Sequence, residues 1–292
     1  MLFRSTRTDV VSLYRMPSKK QRPHQDDHAS PPSSRTRRKI GALVAHLPYL
    51  VLEQIFKYLD LTELRSCMLV CRHWFNVLNF QNSVVWQSMA HRKIPESALF
   101  GSPLLSELNT YKMKLRALAF SWYPVGIERS YYIRSDGFTA HRYGQICARG
   151  VRGKRGMSSG VHAFDIVWNG PLGMLAVVGV GTRNAYLRCL ANEYCSRAGE
   201  QYWGWNLANN RLLHGKRRLR AYPRGKNFSA YKQGEKIRLV LDCDRHVVSF
   251  ENASGTRLGT AFANLPSVVL YPTIWAGQRL ADVSIVYIGH PH

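Results

Sequence analysis

Cys67, Cys71 and His73 are side chains of the types that hold a metal ion, and they stand close together in the chain. No C-x-x-C pair and no H-E-x-x-H helix accompanies them. At helical spacing Cys67 and Cys71 share a face, so they read as small hydrophobes of a core. Gly179-Val-Gly181 follows an apolar run, as a phosphate-cradling turn would. The third glycine of a dinucleotide fingerprint is missing and no helix follows, so the pair reads as a sharp strand end. There is no G-x-S-x-G and no pattern of paired carboxylates. The expectation is a protein without catalytic residues, metal or cofactor, whose chemistry is binding.

Two basic stretches offer such chemistry. Arg149, Arg152, Lys154 and Arg155 form one expected loop; Arg211, Lys216, Arg217, Arg218, Arg220, Arg224 and Lys226 form another, with Tyr222 and Phe228 nearby. Lys and Arg neutralise phosphates and aromatic rings stack on bases. No nucleic-acid motif accompanies the charge, so a solvated face or an acidic protein partner is favoured over nucleic acid.

The whole composition supports this. The chain has 292 residues and a formal net charge of +23, long enough for one small and one medium domain. Residues 1–40 carry ten Lys/Arg against three Asp, so most of the excess belongs to the rest of the chain. A field of that sign speeds encounter with acidic partners and says nothing of fold. Residues 1–40 are rich in Arg, Ser, Pro and His and poor in apolar residues, which predicts a disordered basic tail. Its first 16 residues have the Arg and Ser of a mitochondrial presequence, with Asp9 against that reading. Arg35 to Lys39 has the composition of a nuclear import signal, a pattern of low specificity. No window approaches 18 consecutive apolar residues, so a soluble protein without membrane insertion is expected. The six cysteines are scattered, as free thiols of a reducing cytoplasmic compartment would be.

Of the 32 residues from Leu47 to Leu78, 20 are apolar, more than one buried helix stripe requires. A domain this small seldom carries a self-sufficient core, so the surplus predicts docking on a partner or on the rest of the chain. Leu47-Pro48 opens, a first helix runs from Leu50 to Leu59, and Asp60 with Glu63 is spaced as a capping box. A second helix from Leu64 is expected to carry Cys67, Met68, Cys71, Trp74, Phe75 and Leu78. The opening Leu-Pro, the Leu-Asp-Leu turn and Val-Cys-Arg-x-Trp together resemble the F-box over residues 41–92. The resemblance implies docking on the Skp-type adaptor of ubiquitin ligases through Leu47, Pro48, Leu52, Ile55, Leu59, Leu64, Val70, Cys71 and Trp74.

Ser102 to Phe120 has near-helical apolar spacing and reads as a linking helix within residues 93–122. The period then changes. Tyr131 to Ser135, Asp136-Gly137 and Phe138 to Arg142 read as a hairpin with a two-residue turn. Strands are expected over 161–168, 172–180, 202–207, 236–242, 246–251, 268–274 and 282–288, without intervening helices, so the fold class is α+β: a small helical domain followed by an antiparallel β-sandwich over 123–292. Gly160-Val-His-Ala-Phe-Asp-Ile, Ala176-Val-Val-Gly-Val-Gly, Trp203-Gly-Trp-Asn, Gly234-Glu-Lys-Ile-Arg-Leu-Val-Leu-Asp and Leu270-Tyr-Pro resemble, in order, the SPRY (B30.2-like) domain. That likeness implies a shallow partner-binding pocket with Trp275, Ile274 and Tyr194 at its wall, while Trp203 and Trp205 read as core. An F-box followed directly by a SPRY domain resembles the synaptic F-box proteins. The likeness implies a non-catalytic receptor subunit of a ubiquitin ligase, a large RING-type ligase as partner and a protein substrate. It also implies a presynaptic cytoplasmic setting and a role in restraining synapse growth, including development of the neuromuscular junction. The alternative is a SPRY scaffold steered by charge to RNA or acidic proteins, with an F-box that does not dock.

Overall fold

The structure is a computed structural model that describes residues 47–123, 130–144, 148–183, 185, 188–189, 201–214, 217–224 and 231–290. The expected tail over 1–40 and Tyr194 lie outside these residues. The chain divides into two compact units, one comprising the residues up to Lys93 with Thr110–Leu115, the other Ile94–Asn109 with Arg116 onward. Among the described residues the helices in chain order are α1 (Tyr49–Phe56), α2 (Leu61–Cys67), α3 (Arg72–Asn79), α4 (Val84–Lys93), α5 (Glu96–Gly101), α6 (Pro103–Ser106) and α7 (Tyr111–Phe120).

In the first unit, α1 opens after Pro48, whose missing N–H costs nothing at that end. Its buried stripe is Leu52, Glu53 and Phe56. The capping box expected at α2 is formed: Asp60 accepts from the backbone N–H groups of Thr62 and Glu63 at 2.8 Å each, and Glu63 accepts from that of Asp60 at 2.7 Å. The single helix expected from Leu64 is instead two. The N–H groups of Leu69 and Val70 bond three residues back, to Ser66 and Cys67, tightening the end of α2. Cys71 is then extended, at φ −158° and ψ 168°, and starts α3. Trp86 pins the core of this unit, its indole N–H donating to the Leu78 carbonyl at 3.0 Å, with Phe56 edge-on to Trp74 at 5.0 Å. Arg92 donates to the carbonyls of Tyr58 and Leu59 just beyond α1, satisfying acceptors that have no helical partner.

The second unit begins with α5 and α6, not with one long helix. Ser102 caps α6 and Pro103 occupies its first turn; α7 is started by Thr110 of the first unit, whose Oγ1 accepts from Met113 N. Two antiparallel sheets follow. The first runs, in spatial order, β1 (Tyr131–Ile133), β2 (Thr139–Arg142), β14 (Asp282–Gly289), β4 (Val161–Asn169), β10 (Lys236–Asp242), β11 (Val247–Glu251) and β12 (Arg257–Phe262). The second runs β6 (Arg188–Cys189), β3 (Ala148–Arg152), β13 (Leu270–Ala276), β5 (Ala176–Thr182), β7 (Tyr202–Asn206), β8 (Arg211–His214) and β9 (Arg217–Ala221). Along β10, Ile237, Leu239 and Leu241 are buried while the residues between them are half-buried, which is the period of two expected for one covered face. The β1–β2 hairpin is present with a wider turn than two residues, because Arg134 N bonds Thr139 O and the Asp136 carboxylate accepts from both Phe138 N and Thr139 N. Parts of the two expected basic loops are strands: Ala148–Arg152, Arg211–His214 and Arg217–Ala221. Gly179 and Gly181 sit inside β5 and do not end a strand. Gly179 lies opposite Gly204 on β7, and a Cβ there would collide with the backbone of Trp203, so glycine is required by sheet pairing.

Candidate functional site

The first unit presents its apolar residues in two directions. Leu52 and Leu64, both expected on the adaptor face, are buried, at 0% and 1% exposure. They lie on the stripe that a helix turns towards its own core, so they are corrected to structural residues. Ile55, one position off that stripe, is 46% exposed, and Val70 is exposed because the turn after α2 carries it outward. Pro48 is exposed, while Leu47, Leu59, Cys71 and Trp74 are half-buried. Pattern reading missed Leu50 at 72% and Leu69 at 74%, together with Val51, Tyr58 and Phe80. On α1 and the turn that follows it, Val51, Ile55 and Tyr58 recur at four and three, the second face that a helix with one buried stripe leaves over. That recurrence was the available signal.

Cys67 and Cys71 do not share a helix face, since Cys71 is the extended residue ahead of α3. His73 Nε2 lies 2.8 Å from the Leu47 carbonyl, tying the start of α1 to α3. Burial, with Glu63 adding to it, pushes the Cys67 thiol up, away from a reactive thiolate. Among the described residues no group of three or more His, Cys, Asp or Glu could hold a metal ion.

In the sandwich, register separates the two faces of the second sheet. Val178, Ile274 and Trp205 lie abreast, and Trp205 packs edge-on against Phe250 of the first sheet at 5.2 Å, so this face turns inward. Val177 and Trp275 lie abreast on the other face and cluster with Tyr202 and Leu213. Trp275 and Ile274 are nonetheless both 0% exposed. Trp275 is set against Tyr202 at a centroid distance of 3.6 Å and over Gly150, where a Cβ would collide with the indole. Both residues are therefore corrected from pocket wall to core: Ile274 lies on the inward face, and Trp275 fills the space that Gly150 leaves open beside Tyr202. Trp203 and Trp205 are core as expected.

The first basic stretch is engaged within its own unit. Arg152 lies over the rings of Tyr123 and Tyr271 at 5.1 Å each. Lys154 Nζ donates to the carbonyl of Leu118 and the hydroxyl of Ser121. The second stretch differs, for its Arg220 and Arg224, together with Arg257 of β12, line an open groove of about 460 Å³ with Tyr222, Leu258, Gly259 and Thr260. Burial raises the Tyr222 hydroxyl far above its ordinary value, so it stays protonated and donates to Gly259 O at 2.8 Å.

Residues 44–92 match the F-box-like family and residues 161–287 match the SPRY domain family. The two together define a protein of the F-box substrate-recognition class. Across the chain the likeness is closer still. F-box/SPRY domain-containing protein 1 of Caenorhabditis elegans is 46% identical over 90% of this chain and 80% of its own length; that of Aedes aegypti is 44% identical over 84% and 95%. The chain belongs to the F-box/SPRY domain-containing protein 1 family. Among solved structures, the SPRY domain of human HERC1 aligns with 57% of this chain and 98% of its own length, at 17% identity and a TM-score of 0.46. No helix among the described residues is long and apolar enough to cross a membrane.

Proposed function

We propose that the exposed apolar face of the first unit grips the Skp-type adaptor of a ubiquitin ligase, while the SPRY sandwich holds a protein substrate beside the ligase's catalytic machinery. The observation that carries this reading is the exposure of nine large apolar side chains between Tyr49 and Val84, within the stretch that matches the F-box-like family. Exposed apolar surface at that density marks a protein contact. The contacting residues are Pro48, Ile55 and Val70, joined by Leu50, Val51, Tyr58 and Leu69. Leu47, Leu59, Cys71 and Trp74 support them from half-buried positions. The subunit accelerates ubiquitin transfer by proximity, raising the effective concentration of substrate at the transfer site. Kinship with the synaptic F-box proteins supports a large RING-type ligase as partner and a presynaptic role restraining synapse growth.

The test is capture of purified adaptor by the full chain. Ile55→Asp combined with Val70→Asp abolishes capture and leaves the melting temperature within a few degrees of wild type. Retention of the adaptor by that variant refutes the docking face. Capture from neural extract, with the RING ligase scored separately, tests the synaptic part.

A further inference from the structure

The groove at Arg220, Arg224 and Arg257 lies where the two sheets end together. β9 is the edge strand of the second sheet and β12 the edge strand of the first. Exposed edges are sites of unwanted strand pairing, and proteins cover them. Here Arg220 reaches across from β9 to the carbonyls of Thr260 at 2.8 Å and Ala261 at 3.3 Å, and Tyr222 takes that of Gly259. Three successive carbonyls of β12 are thus occupied, so a ligand cannot join there as an added strand. Side chains must do the recognising.

Those side chains are cationic and available. Arg224 is exposed and makes no hydrogen bond or ion pair among the described residues. Arg257 is also exposed and is held only loosely, its Nε 3.6 Å from Glu251 Oε1. Glu251 is itself shared with Arg238 at 3.8 Å, and Arg238 bonds chiefly to Asp165, at 2.6 Å. Among the described residues Glu251 is therefore the acidic group paired with Arg257, and it offsets only part of the charge. Leu258 supplies an apolar floor.

We propose that this groove is a docking site for an acidic, extended peptide segment of a partner protein, whose carboxylates pair with the guanidinium groups of Arg224 and Arg257. Planar guanidiniums match carboxylates in a fork geometry, and the chain's charge of +23 steers such a segment inward. Single-stranded RNA is the weaker match, since bases need an accessible aromatic face. Among the described residues the one aromatic ring lining the groove, Tyr222, is 1% exposed and packed edge-on to Trp205 and Phe250.

The experiment measures binding of a fluorescein-labelled decaglutamate peptide to the full chain by anisotropy, in parallel with a decauridylate RNA. Arg224→Glu with Arg257→Glu weakens peptide binding by at least about tenfold, as loss of paired charge replaced by repulsion should. The control, Arg245→Glu with Arg279→Glu, makes the same change in net charge away from the groove and weakens binding by less than about threefold. The neutral pair Arg224→Gln and Arg257→Gln falls between, with an unchanged circular dichroism spectrum. Equal losses in the groove and control variants, no peptide binding by the wild type, or tighter binding of the RNA through the same two arginines each overturn the proposal. Adaptor capture is unaffected by the groove variants, so failure here is distinguishable from failure of the docking face.

Discussion

The two units handle their large side chains in opposite ways. The helical unit leaves Leu50, Val51, Ile55, Tyr58, Leu69, Val70 and Phe80 exposed, whereas the sandwich closes Trp122, Trp168, Trp275, Phe164 and Phe250 almost completely. A short helix can turn only one stripe to its own core, so an all-round apolar helix remains unfinished until a partner covers it. Two seven-stranded sheets cover each other's inner faces, and the aromatics then lie in ready-made space. The sandwich needs no partner for its core, and what it offers at the β9–β12 edge is charge.

This contrast can be broken at its strongest point first. Trp275→Ala removes a fully buried indole from the sandwich and lowers stability by about 3–5 kcal/mol in chemical denaturation. A variant of unchanged stability with lost partner binding would return Trp275 to a pocket wall. Leu52→Ala should cost about 2–5 kcal/mol, while Ile55→Ala, on the same helix, stays within about 0.5 kcal/mol and is read instead in adaptor affinity. If the two behave alike, the division of α1 into a core stripe and a docking stripe is wrong. Asp60→Ala opens the capping box and costs about 0.5–2 kcal/mol, confined to the helical unit.

The smallest effect is a pH dependence within the sandwich. Burial alone would raise the Asp282 carboxyl, but Arg134 at 2.7 Å and His141 at 2.8 Å outweigh it and hold the carboxyl below its usual 3.8. A depressed carboxylate contributes stability above that ordinary value and loses it as pH falls through the folded value. The urea midpoint of wild type therefore declines below about pH 4, and Asp282→Asn removes that part of the slope.

Much of the site's framework was legible from short-range patterns. The Asp60–Glu63 cap, the alternation in β10 and the hairpin at Asp136 each depend on neighbours a few residues away. The break at 68–71 was not, because Cys67, Met68, Cys71 and Trp74 keep helical spacing across it. Only the tightened turn and extended Cys71 show that the chain changes direction. The glycines of β5 were misplaced for a related reason: a close approach of Gly179 to Trp203 exists only once β7 lies beside β5.

The amino-acid sequence by itself determined the two domain families, the excess of apolar surface and the positive charge, because motif spacing, periodicity and net charge are properties of the chain. The tertiary structure alone decided which members of each set face solvent. Leu52 and Ile55 are equally apolar and three residues apart, and Arg152 and Arg224 carry equal charge. Packing against the rest of the unit buries Leu52 and leaves Ile55 out; two tyrosine rings engage Arg152, while the meeting of two sheet edges leaves Arg224 facing an open groove.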